Sequence, residues 1–313
     1  MNFPVFDLHC DTADKLIGSD GALPVELKQN DAHIDLQRAG KLPGYAQCFA
    51  CFTTTADSLD PTAVFEKKMA AVHWELEKNK DVICQAYTAA EVEENFAKGI
   101  MSAFLTIEGP AGFGFDPALL EDLYKIGFRI TTLGWNESNP LTGSHLTGEG
   151  LTDLGREYVK EAQRLGMIVD VSHISDRGFW DIMDITAAPV IASHSNSRSV
   201  HNVSRNLTDD MFLQICHTGG VAGINLYTEF VGMDLDLNSV CDHILHFLEL
   251  DPDGKHISLG GDLDGCEKLP RDFYGVQDYP QLANQLLLRG VDQATVYNIF
   301  WNNALEVFKR CSI

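Results

Sequence analysis

The sequence predicts a single (β/α)8 barrel over residues 1–313, and three observations carry that reading. Apolar, strand-like runs alternate with amphipathic helical patterns eight times, as in a parallel sheet wrapped by helices. At 313 residues the chain has a length that one such barrel often fills as one domain. Residues of metal-binding type close several strands at their C-terminal ends, where a barrel gathers its functional groups. The rival architecture is an open doubly wound sheet. It is weakened because no Gly-x-Gly-x-x-Gly follows the first strand and no Walker loop occurs.

Taken in order, strands are expected near 4–9, 46–53, 102–108, 128–133, 167–172, 189–193, 219–226 and 256–262. The first helical pattern runs from Pro61 to Asn79, with proline suited to a first turn. Others run Glu91 to Lys98, Pro117 to Ile126, Leu151 to Leu165, Asp176 to Ile185, Asp209 to His217 and Val240 to Leu250. Tyr279 to Arg289 and Asp292 to Lys309 close the chain. Thr208-Asp209 and Val291-Asp292 resemble helix starts, while Gly166 and Gly290 resemble stops. Residues 12–45 form a long first connection with little periodicity. Segments 134–150 and 263–277 are rich in breakers and follow strands, so they would roof a site on the C-terminal face.

Composition narrows the function. Lys plus Arg is 23 against 45 for Asp plus Glu, a net charge of −22, which argues against nucleic acid and anionic membrane as partners. No apolar run reaches the roughly 20 residues a membrane span needs. The N-terminus reads as a strand rather than a signal peptide, so a cytoplasmic protein is expected. The eight cysteines are scattered, and reduced, mostly buried thiols are the expectation. The one close pair, Cys48 and Cys51, lies in an apolar run that reads as a buried strand.

The chemistry lies at the strand ends. Strand alternation puts His9 and Asp11 on one face. Glu108 ends the 102–108 strand, His173 follows 167–172, His194 closes 189–193, and Asp262 closes 256–262. Each alone reads as a loop residue. Together, the three imidazoles with the carboxylates of Asp11 and Glu108 suit zinc or a similar ion. Five ligands are too many for one tetrahedral site that keeps a water, so two metals sharing a carboxylate fit better. Glu108 is the natural bridge, with His9 and Asp11 on one ion and His173 and His194 on the other. Two ions about 3.5–4 Å apart can hold a hydroxide between them and polarise a carbonyl. His33, His73, His217, His243, His246 and His256 are read as structural. His145 and His201 stay open, since both fall in loops of the C-terminal face.

These pieces resemble the membrane dipeptidase (renal dipeptidase) family, zinc peptidases of family M19 with amidohydrolase-like barrels. The resemblance rests on Asp7-Leu8-His9-Cys10-Asp11, Ile107-Glu108-Gly109, Asp170-Val171-Ser172-His173 and Ser193-His194-Ser195. It continues through Ser204-Arg205-Asn206, Asn225-Leu226-Tyr227, Gly261-Asp262-Leu263-Asp264-Gly265 and the tail from Tyr279-Pro280 to Val307-Phe308. It implies two zinc ions on His9, Asp11, Glu108, His173 and His194, bridged by Glu108 and a hydroxide. It further implies that Asp262 handles the proton, that Arg205 binds the C-terminal carboxylate of a dipeptide, and that Tyr227 lines the pocket. Asp264 could share the face of Asp262, so the choice between them comes from the family pattern. One departure stands out. Where the family often carries a substrate-contacting His, this chain has Trp135, leaving Asn136 or His145 to supply a hydrogen bond. The resemblance also suggests a homodimer and a soluble, microbial-type relative. Rival readings are another hydrolase on the same metals, acting on a lactone or β-lactam ring or as a deaminase, and a non-catalytic metal-binding barrel.

Overall fold

Nine parallel strands are found among the residues that the computed structural model describes, 2–18, 22–56, 59–232 and 235–311. They are β1 (Val5–Cys10), β2 (Tyr45–Phe52), β3 (Ile83–Gln85), β4 (Met101–Glu108), β5 (Phe128–Thr132), β6 (Ile168–Asp170), β7 (Val190–Ile191), β8 (Ala222–Ile224) and β9 (Ile257–Leu259). Eight of them run in the order β7-β6-β5-β4-β2-β1-β9-β8. The two ends meet at Ala192, which pairs parallel with Ala222. Ala192 N donates to Val221 O at 3.0 Å and Gly223 N to Ala192 O at 2.7 Å, so the sheet is a nearly closed barrel. Glycine is required at this seam: a Cβ on Gly223 or Gly260 would stand 1.9 or 1.7 Å from Ser193 O.

Each strand expected from sequence is present, though the later ones are short. The ninth, β3, was not expected. It pairs with the first half of β4, on the edge where β5 pairs with the second half. Three residues are too few to show a period, so β3 carries no sequence signal.

Helices cover the outside and start where the sequence offers caps. Thr88 and Glu91 form a capping box, and Asp60, Thr152, Ser175, Thr208 and Asp292 each accept from a first-turn N–H. The 12–45 connection holds two helices, Thr12–Ile17 and Leu36–Ala39, also too short for periodicity to reveal. The last expected helix is interrupted by a π turn at Asn298–Asn302 that buries Ile299, Phe300 and Trp301.

Two apolar layers result. One lies between barrel and helices. The other fills the barrel, with Phe6 and Leu8 of β1, Cys48 of β2, Phe104 of β4, Ile130 of β5, Ile168 of β6 and Ile191 of β7. The C-terminal helix closes the lower end of this interior. Phe308 stacks on Phe104 at 4.1 Å and on Phe6 at 5.4 Å, and Trp301 meets Phe6 at 5.8 Å. With its floor packed, the interior presents functional groups only at the C-terminal ends. No described helix is long and apolar enough to cross a membrane, and every cysteine is unpaired.

Candidate metal centre

The cluster begins with an irregularity in β1. Its register with β2 slips between Asp7 and Cys10. Such slips re-aim side chains. Leu8 already belongs to the barrel interior, and the slip brings its neighbour His9 inward as well. His9 Nε2 lies 3.3 Å from Asp11 Oδ2 and 3.4 Å from Glu108 Oε2. Glu108, at the end of β4, turns its other oxygen to the far side. Oε1 is 3.0 Å from His173 Nε2 and 3.7 Å from His194 Nε2. The five residues singled out from sequence are thus brought together and buried, with Glu108 central and one pair on each side of it.

Hydrogen bonding decides which atoms are free to bind a cation. Asp170 accepts from Ser172 N, from Ser193 N and from the Ser193 hydroxyl. With its proton so committed, Ser193 Oγ accepts from His194 Nδ1 at 2.7 Å. His173 Nδ1 donates to Asn136 Oδ1 at 2.9 Å. Both rings therefore carry a lone pair on Nε2, and those atoms face each other 2.9 Å apart. Two lone pairs cannot bond to one another; a shared cation is what they suit. On the other side, His9 Nε2 is buried without a hydrogen-bond partner. The donor set fits a metal on both sides of Glu108.

Electrostatics agree directly on the His173 side; on the other, burial alone would lower His9, but Glu108 and Asp11 outweigh it and hold the ring well above the usual imidazole range, so an ion there would take the place of its proton. Burial, with Arg205 nearby, pushes His173 down to about 3, and burial with His9 holds His194 well below the usual imidazole range. Both are neutral and able to ligate. Burial alone would raise Glu108, but His9 and His173 outweigh it and hold the carboxyl well below its ordinary value.

Asp262 joins from β9. Its Oδ1 is 3.8 Å from His9 Nε2, and its Oδ2 accepts from Asn225 Nδ2 at 3.0 Å. It adopts a left-handed backbone, φ 56°. Gly265 makes room: a Cβ there would be 2.1 Å from Asp11 Oδ2 and 2.7 Å from Asp262 Oδ1. The structure separates Asp262 from Asp264. Asp264 accepts from Thr12 Oγ1 at 2.7 Å and from His33 N at 2.6 Å, so it fastens the 263–277 loop to the 12–45 connection.

Arg205 is buried near the cluster. Nη1 donates to Ser195 Oγ at 3.0 Å, Nη2 to His194 O at 3.4 Å, and Nε has no partner. Among the described residues it forms no ion pair with a carboxylate. The Phe230 ring lies 5.4 Å from its Cζ. Tyr227 is half-buried and donates to Glu267 Oε2 at 2.8 Å. Trp135 packs on Phe52 at 4.9 Å and stands 6.3 Å from the His173 ring, forming an aromatic wall. Asn136 Oδ1 is committed to His173 and to His145 Nε2, at 3.0 Å.

Asn225 and Ser193 had no role from sequence, although both sit in stretches that were singled out. Their signal is position, at or just past a strand end. His243 is structural as read, accepting from Ser197 N and donating to Val231 O. His33 bonds Asp264 N, so it belongs to the loop fastening.

Comparison with known proteins identifies the family. The membrane dipeptidase family (peptidase family M19) matches residues 1–312. An uncharacterized dipeptidase of Schizosaccharomyces pombe is 32% identical over 71% of the chain; the match spans only 56% of that relative's length. A second uncharacterized dipeptidase of that yeast is 30% identical over 90% of the chain and 73% of its own length. A metallo peptidase from Rhodobacter sphaeroides, solved with a phosphinate mimic of the dipeptide L-Ala-D-Ala, superposes with a TM-score of 0.87. It has 25% identity, with 99% of this chain and 100% of that one covered. The chain belongs to the membrane dipeptidase family, peptidase family M19, whose members are metal-dependent dipeptidase-like hydrolases.

Proposed function

We propose that the protein is a dinuclear zinc dipeptidase that cuts dipeptides carrying a free C-terminal carboxylate. The observation that carries this reading is Arg205: a buried guanidinium, without a carboxylate ion pair among the described residues, beside a metal-type cluster. His9 and Asp11 would hold one zinc, His173 and His194 the other, and Glu108 both. Bound there, zinc supplies an acidified water and a polarised scissile carbonyl. The chain's residues do the rest. Glu108 and Asp11 balance the charge. Asp262, fixed by Asn225, takes a proton from the attacking water and returns it to the leaving amine. Arg205 anchors the substrate carboxylate through the planar fork that suits such a partner. Trp135 excludes water beside His173, and Tyr227 with Phe230 borders the anchored end.

Substrate length tests this reading. A tripeptide cut at its first bond places its carboxylate a further ~3.3–3.6 Å away, out of register with Arg205. Amidating a dipeptide removes the charge and should cost about 1.5–3 kcal/mol, roughly ten- to 150-fold in kcat/KM. Arg205→Lys should weaken the free acid and spare the amide. Because the anchor reads a carboxylate rather than the side chain beside it, L-Ala-D-Ala should be cut as well as L-Ala-L-Ala. Equal kcat/KM for acid and amide would remove the anchor and reopen the choice among hydrolases.

A further inference from the structure

We propose that His145 is a positioning residue that ties the loop carrying Arg205 to His173, through Ser204 on one side and Asn136 on the other. For its kinetic part, this rests on the dipeptidase reading above. The wiring follows from donors and acceptors. Asn136 Oδ1 lies 2.9 Å from His173 Nδ1 and 3.0 Å from His145 Nε2. A carbonyl oxygen only accepts, so both ring nitrogens carry hydrogen. His145 Nδ1 is then a lone pair and accepts from Ser204 Oγ at 2.8 Å. One polarity runs from Ser204 through His145 to Asn136, and it leaves His173 Nε2 free of hydrogen, as ligation requires.

The backbone supports the same connection. His145 N donates to His173 O at 2.8 Å, Ser144 pairs antiparallel with Ile174, and Ser144 Oγ donates to Asn136 O at 2.9 Å. Beyond Ser204, its carbonyl accepts from Arg198 Nη2 at 3.0 Å, and Arg198 pairs with Asp176 at 2.7 and 2.8 Å. The residue before Arg205 is thus held from both directions. Neither ring nitrogen is left to touch a substrate. The device couples two events: seating a carboxylate on Arg205 and orienting one metal ligand.

The test uses full-length protein with zinc affinity, by chelator competition, and KM for an acid and an amide dipeptide. Asn136→Ala should weaken one of two zinc ions about 10- to 100-fold, the range for residues behind a metal ligand. His145→Ala should weaken the same ion and raise KM for the acid by at least ~5-fold relative to the amide, in the range of typical coupling between sites. His145→Gln, which keeps a donor and an acceptor, should recover part of both. Ser204→Ala and Asn136→Ala should be non-additive in zinc affinity and become additive when His145 is alanine. Ser204 is exposed, so its variant keeps the cycle readable even if another variant folds poorly. If His145→Ala lowers only the melting temperature, or if the Ser204–Asn136 cycle is additive in the native background, the proposal is overturned. Should no dipeptide be hydrolysed, the dipeptidase reading fails, while the zinc cycle still decides the link to His173.

Discussion

Chelation should abolish dipeptide hydrolysis, and zinc should restore it. On the proposed reading the ions would supply several kcal/mol by acidifying water and polarising the carbonyl, so their loss should cost at least ~10³-fold in kcat. No other group in the cluster replaces them: His173 and His194 are neutral, and the Glu108 carboxylate would repel an anionic nucleophile. Metal analysis should find about two zinc ions per chain, falling to about one in His9→Ala and in His173→Ala. These variants remove ligands from opposite sides of Glu108, so each should lose a different ion. Wild-type rates in both, or no metal in protein purified without chelator, would sink the two-ion site.

Asp262→Asn should lower kcat at least ~10²-fold, the usual contribution of a general acid–base, with zinc content unchanged. Asparagine tolerates the left-handed backbone that Asp262 adopts, so the loop keeps its shape. What is lost is the ability to take a proton. The cluster makes the experiment sharper, because Asp262 stands with His9 and Asp11 as a group able to hold an ion. Loss of zinc in Asp262→Asn would make it a ligand instead. Near-normal kcat would move the proton role elsewhere. Asp264 is a poor heir, since its oxygens are committed to Thr12 and His33.

The barrel and its cluster were legible because they depend on short-range pattern. Val5 through Cys10 reads as a strand, and Glu108, His173, His194 and Asp262 read as its neighbours' polar ends. Less visible was whatever depends on exact backbone path. Alternation alone does not reveal the slip that turns His9 inward beside Leu8. β3 is three residues long, too short for alternation to show. His145 and Asn136 fall in a breaker-rich loop with no period, so nothing in the sequence says that one oxygen joins them. The choice between Asp262 and Asp264 turns on two left-handed residues whose carboxylates diverge, which spacing cannot show.

With Phe6, Phe104, Trp301 and Phe308 sealing its lower end, the barrel is a blind well. Whatever enters must leave by the same mouth. Cleavage of a dipeptide there would produce two amino acids, and they would not be held alike. On the proposed reading, the C-terminal product would keep the carboxylate that Arg205 binds; the N-terminal product would gain a carboxylate on the metal side, where a water can replace it. Departure should therefore be ordered, N-terminal product first. Product-inhibition kinetics would show it: the C-terminal amino acid competitive against the dipeptide, the N-terminal one noncompetitive. Competitive behaviour by both would mean that they leave in either order.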